Sequence, residues 1–282
     1  MTRFDWARGT AHRSGAELQQ AGPLMSAYAQ AVADLPPDLP VLVNLADPLH
    51  AIAAFYGVLA QGRPCGIGDD RIAASAPPGT FHILDTQLPP RDPRDMPVSA
   101  TPAPFVTFTG GTTGAPKAIL REQASWLYSF ARQGIEPHDR VAVLGGLSHS
   151  LALYATVEAL HQLADIWLLS GVRPKAQIET IRDASLTVLY ATPTQLKLLS
   201  GSHPCPSVTR LFVGGGDFDA SARALTRDLF PNARIAVFYG TSETSFVTVS
   251  DTETPAGSAG KAYPGVTLKT DAEGLIWAGS PM

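Results

Sequence analysis

The sequence predicts an α/β fold of mostly parallel β-sheets covered by helices, with the start of a small β-rich subdomain at its C-terminal end. Two observations carry the first part. Short, continuously apolar runs alternate with helix-length segments from "FVTFT" to "IAVFYG", the pattern of buried strands joined by helical crossovers. Glycine- and threonine-rich loops follow several of these runs, at the carboxyl ends of strands, where such sheets bind ligands. A third observation carries the ending. From Phe246 onward the helix-length segments stop, and "FVTVS", "VTLKT" and "LIWAG" read as short strands separated by glycine turns.

The first forty residues are weakly patterned, with a helix predicted at Leu24 to Asp34 and ended by "LPPDLP". "VLVNL" (Val41 to Leu45) reads as a buried strand. In "ADPLHAIAAFYGVLAQG", Asp47 is placed to cap the free N–H groups of a helix, Pro48 suits its first turn, and Gly62 suits its end. The stretch from Arg63 to Pro104 carries "APPG", "LPPRDPRDMP" and "TPAP"; it is long for a plain connection and is predicted to hide a short strand at "FHIL". Strand "FVTFT" then precedes a helix at Glu122 to Gln133, and "VAVLGG" one at Leu151 to Gln162. "IWLLS" leads to Lys175–Arg182, "TVLYA" to Thr194–Leu199 and "LFVGG" to Ala220–Leu229, before "IAVFYG" closes the series.

With 282 residues, 45% apolar and 16% charged, the chain has the composition of a globular protein rather than a disordered one. A chain this long buries roughly three quarters of its unfolded surface, enough for a sizeable core. Its formal charge of −4 supplies no electrostatic pull toward nucleic acid or an anionic membrane, so neither is expected as a partner. Cys65 and Cys205 lie far apart and are expected to be two buried reduced thiols rather than a disulfide. The start has no apolar signal-like core, and "AIAAFYGVLA" is about half a membrane span. A cytoplasmic enzyme or binding protein is the expectation; oligomeric state is not legible.

"FTGGTTGAPKAI", from Phe108 to Ile119, combines glycines that let backbone approach phosphate, threonine hydroxyls and a lysine charge. Taken alone it is also compatible with an ordinary Gly/Thr turn. It is not a Walker A loop, because Lys117 follows Pro116 and precedes Ala118. No G-x-G-x-x-G follows a strand, no G-x-S-x-G is present, and the seven histidines form neither H-E-x-x-H nor a cysteine–histidine cluster.

The order T-x-G-T-T-G-x-P-K at Thr109 to Lys117 resembles the adenylate-forming superfamily of acyl- and aryl-CoA synthetases, luciferases and peptide-synthetase adenylation domains. Further segments resemble its landmarks in the same order: "VLVNLADPLHAIAAFYGVLAQGRPCGIGDD", "GGLSHSLALYATVEAL", "VTRLFVGGGDFDA", "VFYGTSET" and "GSAGKAYPG" with "GLIWAGSPM". The resemblance spans roughly residues 40 to 282. It implies two αβα subdomains, at about 1–104 and 105–245, with 246–282 beginning the β-rich subdomain.

Forming an acyl-adenylate places charge on the α-phosphate and on departing pyrophosphate, where donors and a metal are needed. The resemblance implies that Thr109, Gly110, Gly111, Thr112, Thr113, Gly114 and Lys117 hold the β- and γ-phosphates of ATP. It implies that Thr241, beside Gly240, meets the α-phosphate and that Glu243 holds Mg²⁺. Tyr239 would stack on the adenine, whose other side meets Gly214, Gly215 and Gly216, and His149 would border the acyl pocket. Lys117, Thr241, Glu243 and His149 form the implied catalytic set. Read without the family, Glu243 is a surface carboxylate ending a strand, Tyr239 a packing residue, His149 a partly buried histidine, and "GGG" a tight turn. Gly110 stands where the family usually has serine and Ala118 where it has glycine; neither removes the phosphate-binding logic.

The chain ends at Met282, before the family's T-G-D segment, hinge and mobile C-terminal lid with its catalytic lysine, so weak turnover by this chain alone is expected. Amino-acid-activating relatives place an aspartate in the segment that here reads "GGLSHSLALYA", without an acid; an ammonium would lack its partner there. His149, Leu151, Leu153 and Tyr154 point instead to a fatty or aryl carboxylic acid. The implied reaction is carboxylate plus ATP to acyl-AMP and pyrophosphate, then transfer to coenzyme A. The rival reading is a shortened, catalytically weak or inactive scaffold of the same family that binds a ligand or a partner.

Overall fold

The computed structural model describes residues 11–13, 16–17, 21–92, 98–109, 116–255 and 257–282. The first half runs β1 (Ala11–Arg13), β2 (Ala16–Glu17), α1 (Ala21–Ala33), β3 (Val41–Val43), α2 (Pro48–Ala60), β4 (Cys65–Ile67), α3 (Asp70–Ser75), β5 (His82–Leu84), β6 (Phe105–Phe108), β7 (Ala118–Arg121) and α4 (Gln123–Gln133). The alternation continues with β8 (Arg140–Val143), α5 (Ser150–His161), β9 (Asp165–Leu168), α6 (Pro174–Asp183), β10 (Val188–Ala191), α7 (Pro193–Leu198), β11 (Arg210–Val213), α8 (Ala220–Leu229) and β12 (Arg234–Thr241). The elements that follow among the described residues are strands: β13 (Ser245–Ser250), β14 (Lys261–Ala262), β15 (Thr267–Thr270) and β16 (Ile276–Gly279).

Four of the helices, α2, α3, α7 and α8, start at a side-chain acceptor. Asp47 accepts from the N–H groups of Leu49 and His50 at 2.8 and 3.2 Å, as its position before Pro48 predicts. Thr192 and Gln195 form a reciprocal capping box on α7, and Asp219 accepts from the Ala222 N–H at 2.8 Å to start α8. Gly62, at φ 76°, sits just past the end of α2 in the left-handed region that glycine adopts without strain.

Two large sheets result. One has the order β5-β3-β4-β6-β7, parallel except for the β6–β7 hairpin. The other has the order β14-β13-β12-β11-β10-β8-β9-β1-β2; its β1-β9-β8-β10-β11-β12 run is parallel and its two edges are antiparallel. β15 and β16 form a separate antiparallel hairpin. The predicted α/β class and β-rich ending are both present. α3 and β7 lie in stretches that read from sequence as loop or link.

The fully buried strands pack into the hydrophobic core beside the helices. β3, β6 and β10 are buried throughout, and α2 and α5 are buried along most of their length, as central crossovers should be. Cys65 and Cys205 are separate buried thiols, and burial pushes both above the ordinary cysteine range. Among the described residues no helix is long and apolar enough to cross a membrane.

Candidate active site

A cavity of about 800 Å³ opens at the carboxyl ends of β8, β10, β11 and β12, where the topology of a parallel sheet leaves backbone groups free for a ligand. Thr109, Gly214, Gly215, Gly240, Thr241 and Glu243 line it, all positions singled out from the sequence. Trp126, Tyr154, Tyr190, Phe238 and Phe246 give it an aromatic wall. Four of these rings contact in series, with centroids 5.2 Å apart for Trp126–Tyr154, 4.9 Å for Tyr154–Phe246 and 4.2 Å for Phe238–Phe246.

The phosphate-type loop is the tip of the β6–β7 hairpin, in which Phe108 pairs with Ala118 and Phe105 with Arg121. Its base is pinched: the Thr109 N–H donates to the Lys117 carbonyl at 3.0 Å, and the Lys117 N–H donates to Thr109 Oγ1 at 3.1 Å. Gly110, Gly111, Thr112, Thr113 and Gly114 lie outside the described residues. The Lys117 side chain is exposed.

Thr241 and Glu243 ride on the β12–β13 turn. Gly240 is required there, because a Cβ at this position would stand 1.8 Å from the Ser245 carbonyl oxygen, and the ladder shifts register between Tyr239 and Gly240. The Thr241 N–H donates to Thr244 Oγ1 at 3.2 Å, and the two threonine hydroxyls lie 3.1 Å apart. Ser242 Oγ shares a 2.7 Å hydrogen bond with Ser150 Oγ at the start of α5. Glu243 is exposed and, among the described residues, is the one side chain lining the cavity with a formal charge at neutral pH. Tyr239, 58% exposed, and Gly216 lie outside the cavity wall. Gly215, at φ 78°, makes the tight turn after β11 that the glycine run predicts.

His149 occupies the N-cap position of α5 without a side-chain capping bond, exposed and on the cavity wall. Leu151 and Tyr154, three residues apart on one helical face, line the cavity with it. Leu153 does not: it points into the core and is 2% exposed, a correction that follows from the helical period. The aromatic wall draws on residues the motifs did not mark, Trp126 and Tyr190 above all. Tyr190 is the penultimate residue of the buried strand β10, near the sheet's carboxyl edge, and that placement was the signal for it in the sequence.

Behind the wall lies a buried polar pair. The Tyr190 hydroxyl donates to Glu158 Oε2 at 2.5 Å, and Glu158 Oε1 has no hydrogen-bond partner among the described residues. Burial pushes Glu158 well above the usual carboxylate range, against the pull of Tyr190 and of the Arg210 charge. Burial likewise drives the Tyr154 and Tyr190 phenols upward, so both stay protonated. Tyr154 donates to Ser129 Oγ at 2.8 Å. The aromatic part of the lining thus carries no formal charge.

Polar groups at the strand ends beside an apolar pocket meet a family match over most of the chain: the family described as AMP-binding enzyme aligns to residues 37–275. The chain belongs to this family. Among AMP-binding relatives, it is 31% identical over 188 residues to a putative long chain fatty acid-CoA ligase, VraA, of Staphylococcus epidermidis, covering 63% of this chain and 42% of that protein. It is 32% identical over 173 residues to an uncharacterized acyl-CoA ligase, YhfT, of Bacillus subtilis, covering 58% of this chain and 36% of that one. The chain therefore spans less than half the length of these relatives. Among solved structures, the N-terminal domain of FACL13 from Mycobacterium tuberculosis, bound to an inhibitor, superposes with a TM-score of 0.78 at 17% identity, over 96% of this chain and 82% of that one. The AMPPNP-bound form of the nonribosomal peptide synthetase FmoA3 gives 0.79 at 18% identity, over 98% of this chain and 36% of that one. At these identities the likeness is one of fold.

Proposed function

We propose that this chain is the nucleotide- and acyl-binding portion of an ATP-dependent carboxylate-activating ligase, acting on a fatty or aryl acid to form acyl-AMP and pyrophosphate before acyl transfer to coenzyme A. The observation that carries the reading is the cavity that joins the glycine turn and Thr241–Glu243 to an uncharged aromatic pocket. A carboxylate lodged there faces the strand ends, where its oxygen can attack an α-phosphate. Gly214 and Gly215 let a nucleotide approach the backbone closely, and Tyr239 is exposed beside them as a stacking surface. Thr241 donates to the α-phosphate, and Thr109 with Lys117 offsets the charge of the departing pyrophosphate. His149 borders the acyl end.

Magnesium fits the donor set. Mg²⁺ is commonly held by one or two carboxylates plus substrate phosphates and water, and Glu243 is an exposed carboxylate on the cavity wall. No group of three or more metal-ligating side chains stands among the described residues, which matches an ion shared with a triphosphate rather than caged by protein. Bound there, the ion would supply charge neutralisation during displacement. The uncharged lining of the acyl end favours a carboxylate without an ammonium group.

Thermal denaturation with Mg-ATP and with non-hydrolysable acyl-AMP analogues bearing short, long, aryl and aminoacyl groups tests this. A ligand at about a hundred times its Kd adds about 2.7 kcal/mol and raises Tm by several degrees. A shift confined to fatty or aryl analogues, lost in Lys117→Ala and Glu243→Ala, is the expected result. A shift confined to aminoacyl analogues would overturn the substrate class, and no shift with folded protein would overturn the nucleotide reading.

A further inference from the structure

The proposed nucleotide site is shared between two sheets that have no strand in common. Thr109 and Lys117 belong to the β6–β7 hairpin of the five-stranded sheet, whereas Thr241 and Glu243 belong to the β12–β13 turn of the nine-stranded sheet. A triphosphate that touches both requires their separation to be held. We propose that Arg121 is the positioning residue that holds it, locking the β12–β13 turn to the strand that emerges from the phosphate loop. The inference rests on the nucleotide reading above.

Arg121 lies four residues after Lys117 and is the buried position of β7, where Ala118 and Leu120 are exposed. Its guanidinium crosses to the other sheet and grips the turn twice. Nη1 donates to the Ser242 carbonyl at 2.5 Å and Nη2 donates to Ser245 Oγ at 2.9 Å. The two acceptors flank Glu243 in sequence. A planar fork bound at two points fixes orientation as well as distance, which a lysine cannot do. A third, longer contact follows the same seam: Ser242 Oγ donates to the Phe108 carbonyl at 3.4 Å, at the base of the same hairpin.

The turn needs an external hold. Ser245 has φ 54°, in the left-handed region that non-glycine residues seldom adopt, and its side chain receives the Arg121 Nη2 bond. Gly240, which pairs with Phe246, sits against the Ser245 carbonyl with no room for a side chain. Burial also works against the guanidinium: it draws Arg121 below its usual value, while the Glu243 carboxylate pulls the other way. A methionine would fill the same space without a buried charge. The charge is useful here because both of its bonds end on the turn that carries Thr241 and Glu243.

The test is calorimetric titration of the whole chain with two probes, Mg-AMPPNP, which spans both halves, and AMP, which reaches only the β11–β12 side. The proteins are wild type, Arg121→Lys, Arg121→Met and Ser245→Ala. Arg121→Met is expected to weaken Mg-AMPPNP by about tenfold, a change of about 1.4 kcal/mol, and AMP by clearly less. Arg121→Lys and Ser245→Ala should move the ratio of the two affinities in the same direction by a smaller factor. A purely structural role would lower the melting temperature and leave that ratio unchanged, and an unchanged ratio overturns the inference. Should Arg121→Met not fold, Ser245→Ala decides the matter, since it keeps the arginine and removes one of its two acceptors. Wild type that binds neither probe overturns the nucleotide reading and this inference together. Wild type that binds both, with variants that bind both equally well, overturns this inference alone.

Discussion

Replacing Glu158 by glutamine should flatten the pH dependence of stability on the alkaline side. Glu158 is 0% exposed behind the cavity wall, and burial raises it well above the usual carboxylate range. In the unfolded chain a glutamate loses its proton at about pH 4.3. Between that value and the raised native one, the folded state therefore binds more protons than the unfolded state. Stability contributed by the neutral carboxyl is complete below the unfolded value and is lost as pH rises toward the native one. One proton linked to folding gives a slope of at most about 1.4 kcal/mol per pH unit, or about 4 kcal/mol between pH 5 and pH 8 if the carboxyl stays neutral throughout. Glutamine keeps an acceptor for Tyr190 but places an amide where Glu158 Oε1 now lacks a partner, a cost of about 1–3 kcal/mol that does not vary with pH. Tyr154, Tyr190 and Tyr263 surround the carboxyl and stay neutral across this window, burial pushing all three phenols upward. Urea denaturation of both proteins at pH 5, 6, 7 and 8 reads the difference directly. The wild-type advantage should shrink or reverse as pH rises, whereas parallel profiles would mean that Glu158 is already charged in the folded protein.

Two further substitutions test the frame around the site. Gly240→Ala forces a Cβ against the Ser245 carbonyl, so about 1–3 kcal/mol of stability should be lost by overpacking, with a displaced turn that loses the Mg-ATP thermal shift; wild-type melting and binding would refute so close an approach of the two strands. Arg63→Met removes a buried guanidinium that donates to the carbonyls of Val32, Leu35, Pro36 and Leu39 at 2.6–3.1 Å, and should cost about 3 kcal/mol in chemical denaturation through the carbonyls left unpaired.

Long, strongly patterned segments declared themselves in the sequence. Residues 123–133, 150–161 and 220–229 are helices within a residue or so of their predicted limits, since each carries its apolar period and end signals locally. β7 was not legible. Four residues with one buried side chain form a strand only because β6 offers an edge, and pairing with a partner is not written in so short a window. α3, six residues inside a proline-rich stretch, rests on the Asp69 cap, which accepts from the Ile72 N–H at 2.9 Å.

By itself, then, the sequence determined the α/β alternation, the order of the landmark motifs and the residue types proposed to meet phosphate and metal, because periodicity, capping and glycine usage act over a few neighbouring residues. Tertiary structure alone decided which of those residues share a cavity. Thr109 and Thr241 meet across two sheets, Trp126 and Tyr190 become one wall, and Leu153 turns away from Leu151 into the core. Arg121 reaches Ser242 across 121 residues of sequence. Such contacts follow from how whole sheets and helices pack, and no local pattern of residues encodes them.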